Sequence, residues 1–469
     1  MKIKYASTRD KALIHDFDSV LMAGLAPDGG LFMPLSIPKF SHNEWRLMRG
    51  NNYAQIAFRL LRQFTEGSEI FDDALLERLI HDAYENFNHA AIAPLSQIDH
   101  NLWLLELYHG PTLAFKDFAL QLTGRMMEQA LLKSDKQMTI IGATSGDTGS
   151  AAIAGYRGRK NMKIFILHPK DKVSEIQRKQ MTCCPDENVF NIAIEGNFDD
   201  CQAMVKHMFE DHHLRHHLNL GAVNSINWMR VAAQTVYFAV AALRLGGPDV
   251  CVNFAVPTGN FGNILAAWLA KQMGLNINQL VIGSNQNDVL TRLISHNAME
   301  KQPVIPSLAP SMDIQVSSNF ERYLFDLLGQ NSDQCEALMH EFKTTGNMKL
   351  THDLWQRLRR DFQAHSLDDD AIKAVMRRIY NQSGIVIDPH TACGVAAAEQ
   401  CSDDYENPMV VAATAHPAKF PAAVKAAFQD QPLDLDPPQS IKQLYNHPER
   451  FKVIPNDYDA VKSYIESNA

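Results

Sequence analysis

The chain offers one lysine in a setting suited to nucleophilic chemistry. In His109-Gly110-Pro111-Thr112-Leu113-Ala114-Phe115-Lys116-Asp117, Gly-Pro ends the strand-like run Trp103–Leu107, and Lys116 opens a helical run over 117–132. An amine there lies beside the positive end of the helix dipole. With Phe115 and Phe118 as neighbours, that position lowers its pKa and favours a free nucleophilic amine. The bland reading is a surface lysine in the first turn of a helix, and the local sequence leaves both readings open.

Two glycine-rich loops each follow a strand and precede a helix. In Gly142-Ala143-Thr144-Ser145-Gly146-Asp147-Thr148-Gly149-Ser150, three glycines permit a tight turn. The hydroxyls and helix-start amides suit a carboxylate or phosphate. An ordinary turn capped by Thr or Ser is the alternative. The loop Pro257-Thr258-Gly259-Asn260-Phe261-Gly262-Asn263 is a second candidate anion cradle at the carboxyl end of a strand, where ligands of open α/β sheets gather. Neither loop is a Walker A or GxGxxG motif. In Ala413-Thr414-Ala415-His416-Pro417-Ala418-Lys419-Phe420, Thr414 follows another apolar strand and offers one hydroxyl, as a ligand contact or as a plain turn residue.

Other features read as structural. The histidines of Asp211-His212-His213-Leu214-Arg215-His216-His217 have zinc-compatible spacing, but no Glu-x-x-His context accompanies them, so a solvated helix face is expected. Adjacent Cys183 and Cys184 read as buried small residues. Asp388-Pro389-His390 reads as an N-cap, a Pro at N1 and a first-turn residue, initiating a helix rather than binding metal or catalysing.

These residues need elements to hold them. The six expected strands are 138–143, 163–167, 189–194, 250–256, 280–284 and 409–413. They are short, Val- and Ile-rich and several are continuously apolar, as in strands buried on both faces. Helical stretches between them, such as 198–210, 228–245 and 264–273, predict an α/β fold with a mostly parallel sheet. Residues 1–95 read as a mixed N-terminal segment and 96–430 as the catalytic region. A helical, charged insertion is expected near 290–380, and a C-terminal extension over 431–469. The length of 469 residues accommodates two or three domains, and 46% hydrophobic residues supply a core large enough to hold a rigid site without disulfides. A net charge of −9 argues against nucleic acid or an anionic membrane as partner. The seven cysteines form no CxxC pair. No apolar leader is read at the N-terminus, so the cytoplasm is the expected compartment.

Taken together, these segments resemble the threonine synthase family, in its longer-chain bacterial and fungal branch. The segment 109–118 resembles that family's cofactor-lysine motif, and Gly24-Leu25-Ala26-Pro27-Asp28-Gly29-Gly30-Leu31-Phe32-Met33-Pro34 its entry motif. The segments 143–149, 257–263, 388–392 and 414–420 match as well, in the family's order and across nearly the whole chain. Two departures stand in the second loop: Thr258 and Asn263 occupy positions where long-branch relatives often have Ser and Asp.

The resemblance implies the tryptophan-synthase-β-like (fold type II) pyridoxal-phosphate fold. That fold has two open α/β subdomains with parallel sheets. It implies Lys116 as the Schiff-base lysine. Gly259, Asn260, Phe261, Gly262 and Asn263 would bind the cofactor phosphate, Asp147 would lie near the cofactor ring, and Thr414 would face the pyridine nitrogen. Asn224, Ser225 and Arg230 match a substrate-phosphate motif, and Thr144, Ser145 and Thr148 lie in the substrate loop. The implied reaction converts O-phospho-L-homoserine and water into L-threonine and phosphate, by a monomer or homodimer. A same-fold phospho-lyase or Ser/Thr dehydratase is the alternative. A non-catalytic relative would be expected to lack the lysine.

Overall fold

The computed structural model describes residues 2–223, 225–401, 406–429, 433 and 435–469. Asn224 and the expected boundary at 430/431 lie outside these residues. Two sheets carry the chain. The six-stranded sheet runs in the order Phe362–Ser366, Ile277–Ser284, Val252–Pro257, Met409–Ala413, Leu102–Glu106, Leu95–Gln97. Its strands pair in parallel except for the last, which is antiparallel. The five-stranded sheet runs Lys452–Pro455, Val189–Glu195, Met162–Pro169, Met138–Ala143, Leu220–Ala222 and is parallel throughout. A small antiparallel sheet of Ile14–His15, Tyr5–Ser7 and Phe32–Pro34 forms the N-terminal segment.

The six expected strands are all present, with Met138–Ala143 and Met409–Ala413 starting and ending as expected. Burial on both faces explains their unbroken apolar runs: every residue of Val252–Pro257 and of Met409–Ala413 is buried. Among the strands beyond those six, two lie at sheet edges. Phe362–Ser366, inside the helical stretch near 290–380, closes one edge of the first sheet. Lys452–Pro455, near the C-terminus, closes one edge of the second.

The helix Trp228–Arg244 is buried at every residue from Trp228 to Leu243. One hydrophobic core wraps it and spans both sheets, drawing in Ile140, Ile164, Phe254 and Ile282. At about 25 cal/mol per Å² of apolar area removed from water, this shared core fixes the two sheets relative to each other. The crossing of Lys116–Ser134 over Asp147–Tyr156 matters most for the site. A Cβ built on Gly124 would lie 2.3 Å from the Gly155 carbonyl oxygen, and one on Gly155 would lie 2.5 Å from that of Leu120. Only glycine permits this backbone-to-backbone approach, which brings the first residues of the two helices, Lys116 and Asp147, to one place. Among the described residues, no helix is long and apolar enough to cross a membrane.

Candidate active site

Lys116 is the first residue of its helix, and its side chain is only 11% exposed. The surface-lysine reading is therefore excluded. Its Nζ lies 3.4 Å from Asp147 Oδ2 and 4.9 Å from the centre of the Phe115 ring. Burial lowers the pKa of this amine, and Lys419 and Arg230 lower it further, against the opposing pull of Asp147. The loop before it is locked to the residues just after the strand Met409–Ala413. The Phe115 N–H donates to the Thr414 carbonyl at 2.9 Å, and Ala114 bridges Ala415.

Asp147 opens the facing helix with its side chain 4% exposed. Its Oδ1 accepts from Lys419 Nζ and from Gln177 Nε2, both at 2.9 Å. Oδ2 has only the longer contacts, Lys116 at 3.4 Å and Ser311 Oγ at 3.5 Å. Burial alone would raise this carboxyl. The Lys419 and Lys116 cations and the Gln177 amide outweigh it and hold the group far below the usual carboxylate range.

The first glycine loop is braced from within. Thr144 Oγ accepts the N–H of Gly146 at 3.0 Å and of Gly149 at 2.9 Å. The capping role weighed for this loop is thus real, and Thr144 keeps its own hydroxyl hydrogen to donate. Ser145 is exposed and Thr148 half-buried. Gly146 sits at φ 152°, where a Cβ would fall 2.5 Å from the Gln177 side chain.

The second glycine loop is braced from outside by the 307–322 stretch. Phe261, at φ 62°, precedes the helix Gly262–Gln272. Ser317 Oγ donates to the Gly259 carbonyl at 2.7 Å, and Asn319 Nδ2 donates to the Asn260 carbonyl at 3.0 Å. A Cβ on Gly259 would lie 2.8 Å from the Ser311 carbonyl oxygen, so no other side chain fits between the loop and that segment. Asn263 is buried. Its Oδ1 accepts from Tyr237 Oη at 2.5 Å, and its Nδ2 has no protein partner. Such a buried donor is costly unless a ligand satisfies it.

Arg230 lies in the first turn of the central helix, capped by Asn227, and burial pulls its pKa down to about 10. Asn319 Nδ2 also donates to the Ser225 carbonyl at 3.1 Å, tying the 225–230 turn to the second glycine loop. Asp388 accepts the backbone N–H groups of His390 at 2.9 Å and Thr391 at 3.3 Å, as a helix-initiating residue should. It also accepts from His390 Nδ1 at 2.8 Å, while His390 Nε2 accepts the Ser311 N–H at 3.2 Å. The dyad therefore also holds Ser311 beside Asp147.

The structure thus gathers Lys116, Asp147, Thr414, Arg230 and the two glycine loops, and adds Lys419, Gln177, Ser311, Ser317 and Asn319. Of the added residues, only Lys419 lay in a segment noted for its chemistry.

Three family models divide the chain. Residues 4–84 match the threonine synthase N terminus, 89–414 the pyridoxal-phosphate dependent enzymes, and 391–465 the threonine synthase C-terminal region. A threonine synthase of Pseudomonas aeruginosa is 47% identical over 466 residues, covering 99% of this chain and 98% of that protein. The chain belongs to the threonine synthase family. Among solved structures, pyridoxal-phosphate-bound threonine synthase from Brucella melitensis superposes with a TM-score of 0.96 at 45% identity, covering 99% of both chains. The yeast threonine synthase gives a TM-score of 0.93 at 37% identity, over 99% of this chain and 98% of that one. The fold is accordingly that of the fold type II pyridoxal-phosphate enzymes, and the family's members are lyases dependent on that cofactor.

Proposed function

We propose that this enzyme converts O-phospho-L-homoserine and water into L-threonine and phosphate, with Lys116 as its cofactor-bearing and proton-moving residue. The observation that carries the reading is the buried Lys116 amine, 3.4 Å from an ionised Asp147 that opens the helix after the first glycine loop.

The residues fit pyridoxal phosphate. A buried amine of lowered pKa suits carbonyl capture. The glycine loop, its first two carbonyls taken by Ser317 and Asn319, presents a helix start to a phosphate. In this reading Gly259, Asn260, Phe261, Gly262 and Asn263 hold that phosphate, with the Asn263 Nδ2 as a donor awaiting an acceptor. Asp147 would lie beside the ring and Thr414 would face its nitrogen. When bound, the cofactor acidifies the substrate's α-carbon by delocalising the charge left behind.

Lys116 would take and return protons at neighbouring carbons, a role favoured by its lowered pKa. The substrate's phosphate needs a second anion site. Ser225 and Arg230 are assigned to it, with Arg230 offering a fork of donors. Asn224 completes the motif but lies outside the described residues. Thr144, Ser145 and Thr148 face the substrate's polar end, and the Thr144 hydroxyl is oriented by the two backbone hydrogens it accepts. The proposal carries with it a cytoplasmic enzyme acting as monomer or homodimer.

The test is direct. The purified, cofactor-loaded protein is given phosphohomoserine, and phosphate and threonine are measured together. Equal release of both is expected, and Lys116→Ala should lose the visible cofactor band and all turnover. Phosphate accompanied by 2-oxobutyrate instead of threonine would mark a phospho-lyase and overturn the assignment.

A further inference from the structure

Lys419 is the one lysine in the site that no motif reading singled out, and it is fully buried at 0% exposure. Lysines are almost never found fully buried unless paired. Lys419 sits at the end of the short turn Pro417–Lys419, whose entry His416 caps by accepting the Ala418 N–H at 3.1 Å. Its Nζ has two partners, Asp147 Oδ1 at 2.9 Å and the Thr112 carbonyl at 2.7 Å. Thr112 belongs to the loop that ends in Lys116. One cation therefore joins the lysine's own loop to the carboxylate facing it.

The two oxygens of Asp147 are used unequally. Oδ1 has two short, charge-assisted or amide contacts at 2.9 Å, with Lys419 and Gln177. Oδ2 faces Lys116 at 3.4 Å, beyond the 2.7–2.9 Å of a strong ammonium–carboxylate bond. A buried carboxylate with no other cation would close on Lys116 as a tight ion pair. An amine held that way is charged and a poor nucleophile. The charged groups facing Lys116 are Asp147 from its helix, Lys419 from its turn and Arg230 from the central helix.

We propose that Lys419 is a positioning residue, which takes up the Asp147 carboxylate so that the Lys116 amine stays free to react. Lys419 and Asp147 then act on Lys116 as an opposed pair, with Asp147 the nearer and stronger of the two. The idea builds on the role assigned to Lys116 above, yet its test needs no turnover.

Full-length protein freed of cofactor is treated with an amine-selective acylating reagent across a pH series, and labelling of the Lys116 peptide is followed by mass spectrometry. In Lys419→Met the labelling midpoint should move up by about one pH unit, a roughly tenfold slower labelling at fixed pH below it. In Asp147→Asn it should move down. In the double variant it should move back up toward the parent value. The pH midpoint of the visible band in the cofactor-loaded proteins should move in the same order. A purely structural role for Lys419 would lower stability without ordering these midpoints. If Lys419→Met does not fold, Asp147→Asn against the double variant decides, because the double variant must have the higher midpoint. Equal midpoints in that pair, or a Lys419→Met midpoint at or below the parent's, overturn the proposal. Failure of the functional reading would show separately, as normal labelling shifts in a protein that makes no threonine.

Discussion

Asn319 donates its side-chain amide to the Asn260 carbonyl at 3.0 Å across 59 residues of sequence. The same nitrogen reaches the Ser225 carbonyl at 3.1 Å, and Arg322, fully buried, donates to the Asn319 side-chain oxygen and to the Ile226 and Phe32 carbonyls. One amide therefore sets the spacing between the loop assigned to the cofactor phosphate and the turn assigned to the substrate phosphate. Asn319→Ala takes this donor from the Ser225 carbonyl and leaves the Asn260 carbonyl with only the Asn319 backbone N–H at 3.2 Å, at about 1–3 kcal/mol. We expect roughly tenfold weaker pyridoxal-phosphate binding and a raised KM for phosphohomoserine. Titration of cofactor-free protein with pyridoxal phosphate checks the first, and an unchanged affinity would contradict it.

In the proposed assignment Arg230 serves the substrate phosphate and not the cofactor's. It is buried in the first turn of the central helix. Losing a buried guanidinium that meets a phosphate costs about 2–5 kcal/mol. Arg230→Ala should therefore lower kcat/KM for phosphohomoserine by at least thirtyfold. An amino acid substrate without phosphate should lose far less. Steady-state kinetics on both substrates decide, and equal losses would remove Arg230 from the phosphate site.

Asn263→Asp should be tolerated. The Asn263 Oδ1 already accepts from Tyr237 at 2.5 Å, which a carboxylate continues to do, and Nδ2 makes no protein contact to lose. The cost is the Nδ2 donor proposed for the phosphate together with a charge beside that phosphate, so cofactor affinity is expected to fall by about tenfold, the equivalent of about 1.4 kcal/mol, without being lost. Absorbance titration with pyridoxal phosphate reads this out, and complete loss of the cofactor band would refute it.

What the sequence disclosed, and what it hid, follows the reach of each interaction. Met138–Ala143 and Met409–Ala413 were legible because burial on both faces writes an unbroken apolar run. The helix Phe198–Glu210 was legible as a helical stretch after the expected strand 189–194, and a capping box of Asn197 and Asp200 closes its start. Phe362–Ser366 was not: it is an edge strand with only its first residue buried, so its composition reads as polar. Lys116 and the glycine loops announce themselves through local glycine, proline and hydroxyl patterns. Lys419 and Gln177 do not, since their partners lie 307 residues away at Thr112 and 30 away at Asp147. Gln177 stands in a helix of mixed polarity with nothing to distinguish it from its neighbours.

That helix, Glu175–Thr182, is clamped from outside by the C-terminal arm, which gives a final, pH-dependent expectation. Glu449 accepts from Arg178 Nε at 2.8 Å and Nη2 at 3.0 Å, and from Thr182 Oγ1 at 2.8 Å, with Lys179 at 3.4 Å. The Arg178 hydrogen bonds first, then Thr182 and Lys179, hold the Glu449 carboxyl down at about 2 against its ordinary 4.5. A carboxyl lowered by folding contributes stability above its unfolded pKa and loses it as pH falls toward the folded one. The clamp should therefore be intact at pH 5 and largely released near pH 2. Glu449→Gln removes the titrating group, so its melting temperature should fall less than the parent's between pH 5 and pH 3. A partly exposed ion pair is worth about 1 kcal/mol, so the difference should be roughly 2 °C. Calorimetry of both proteins at the two pH values measures it. Parallel losses would mean that the arm is held by its apolar contact through Ile441 with Leu113, Ile176 and Ala418 rather than by Glu449.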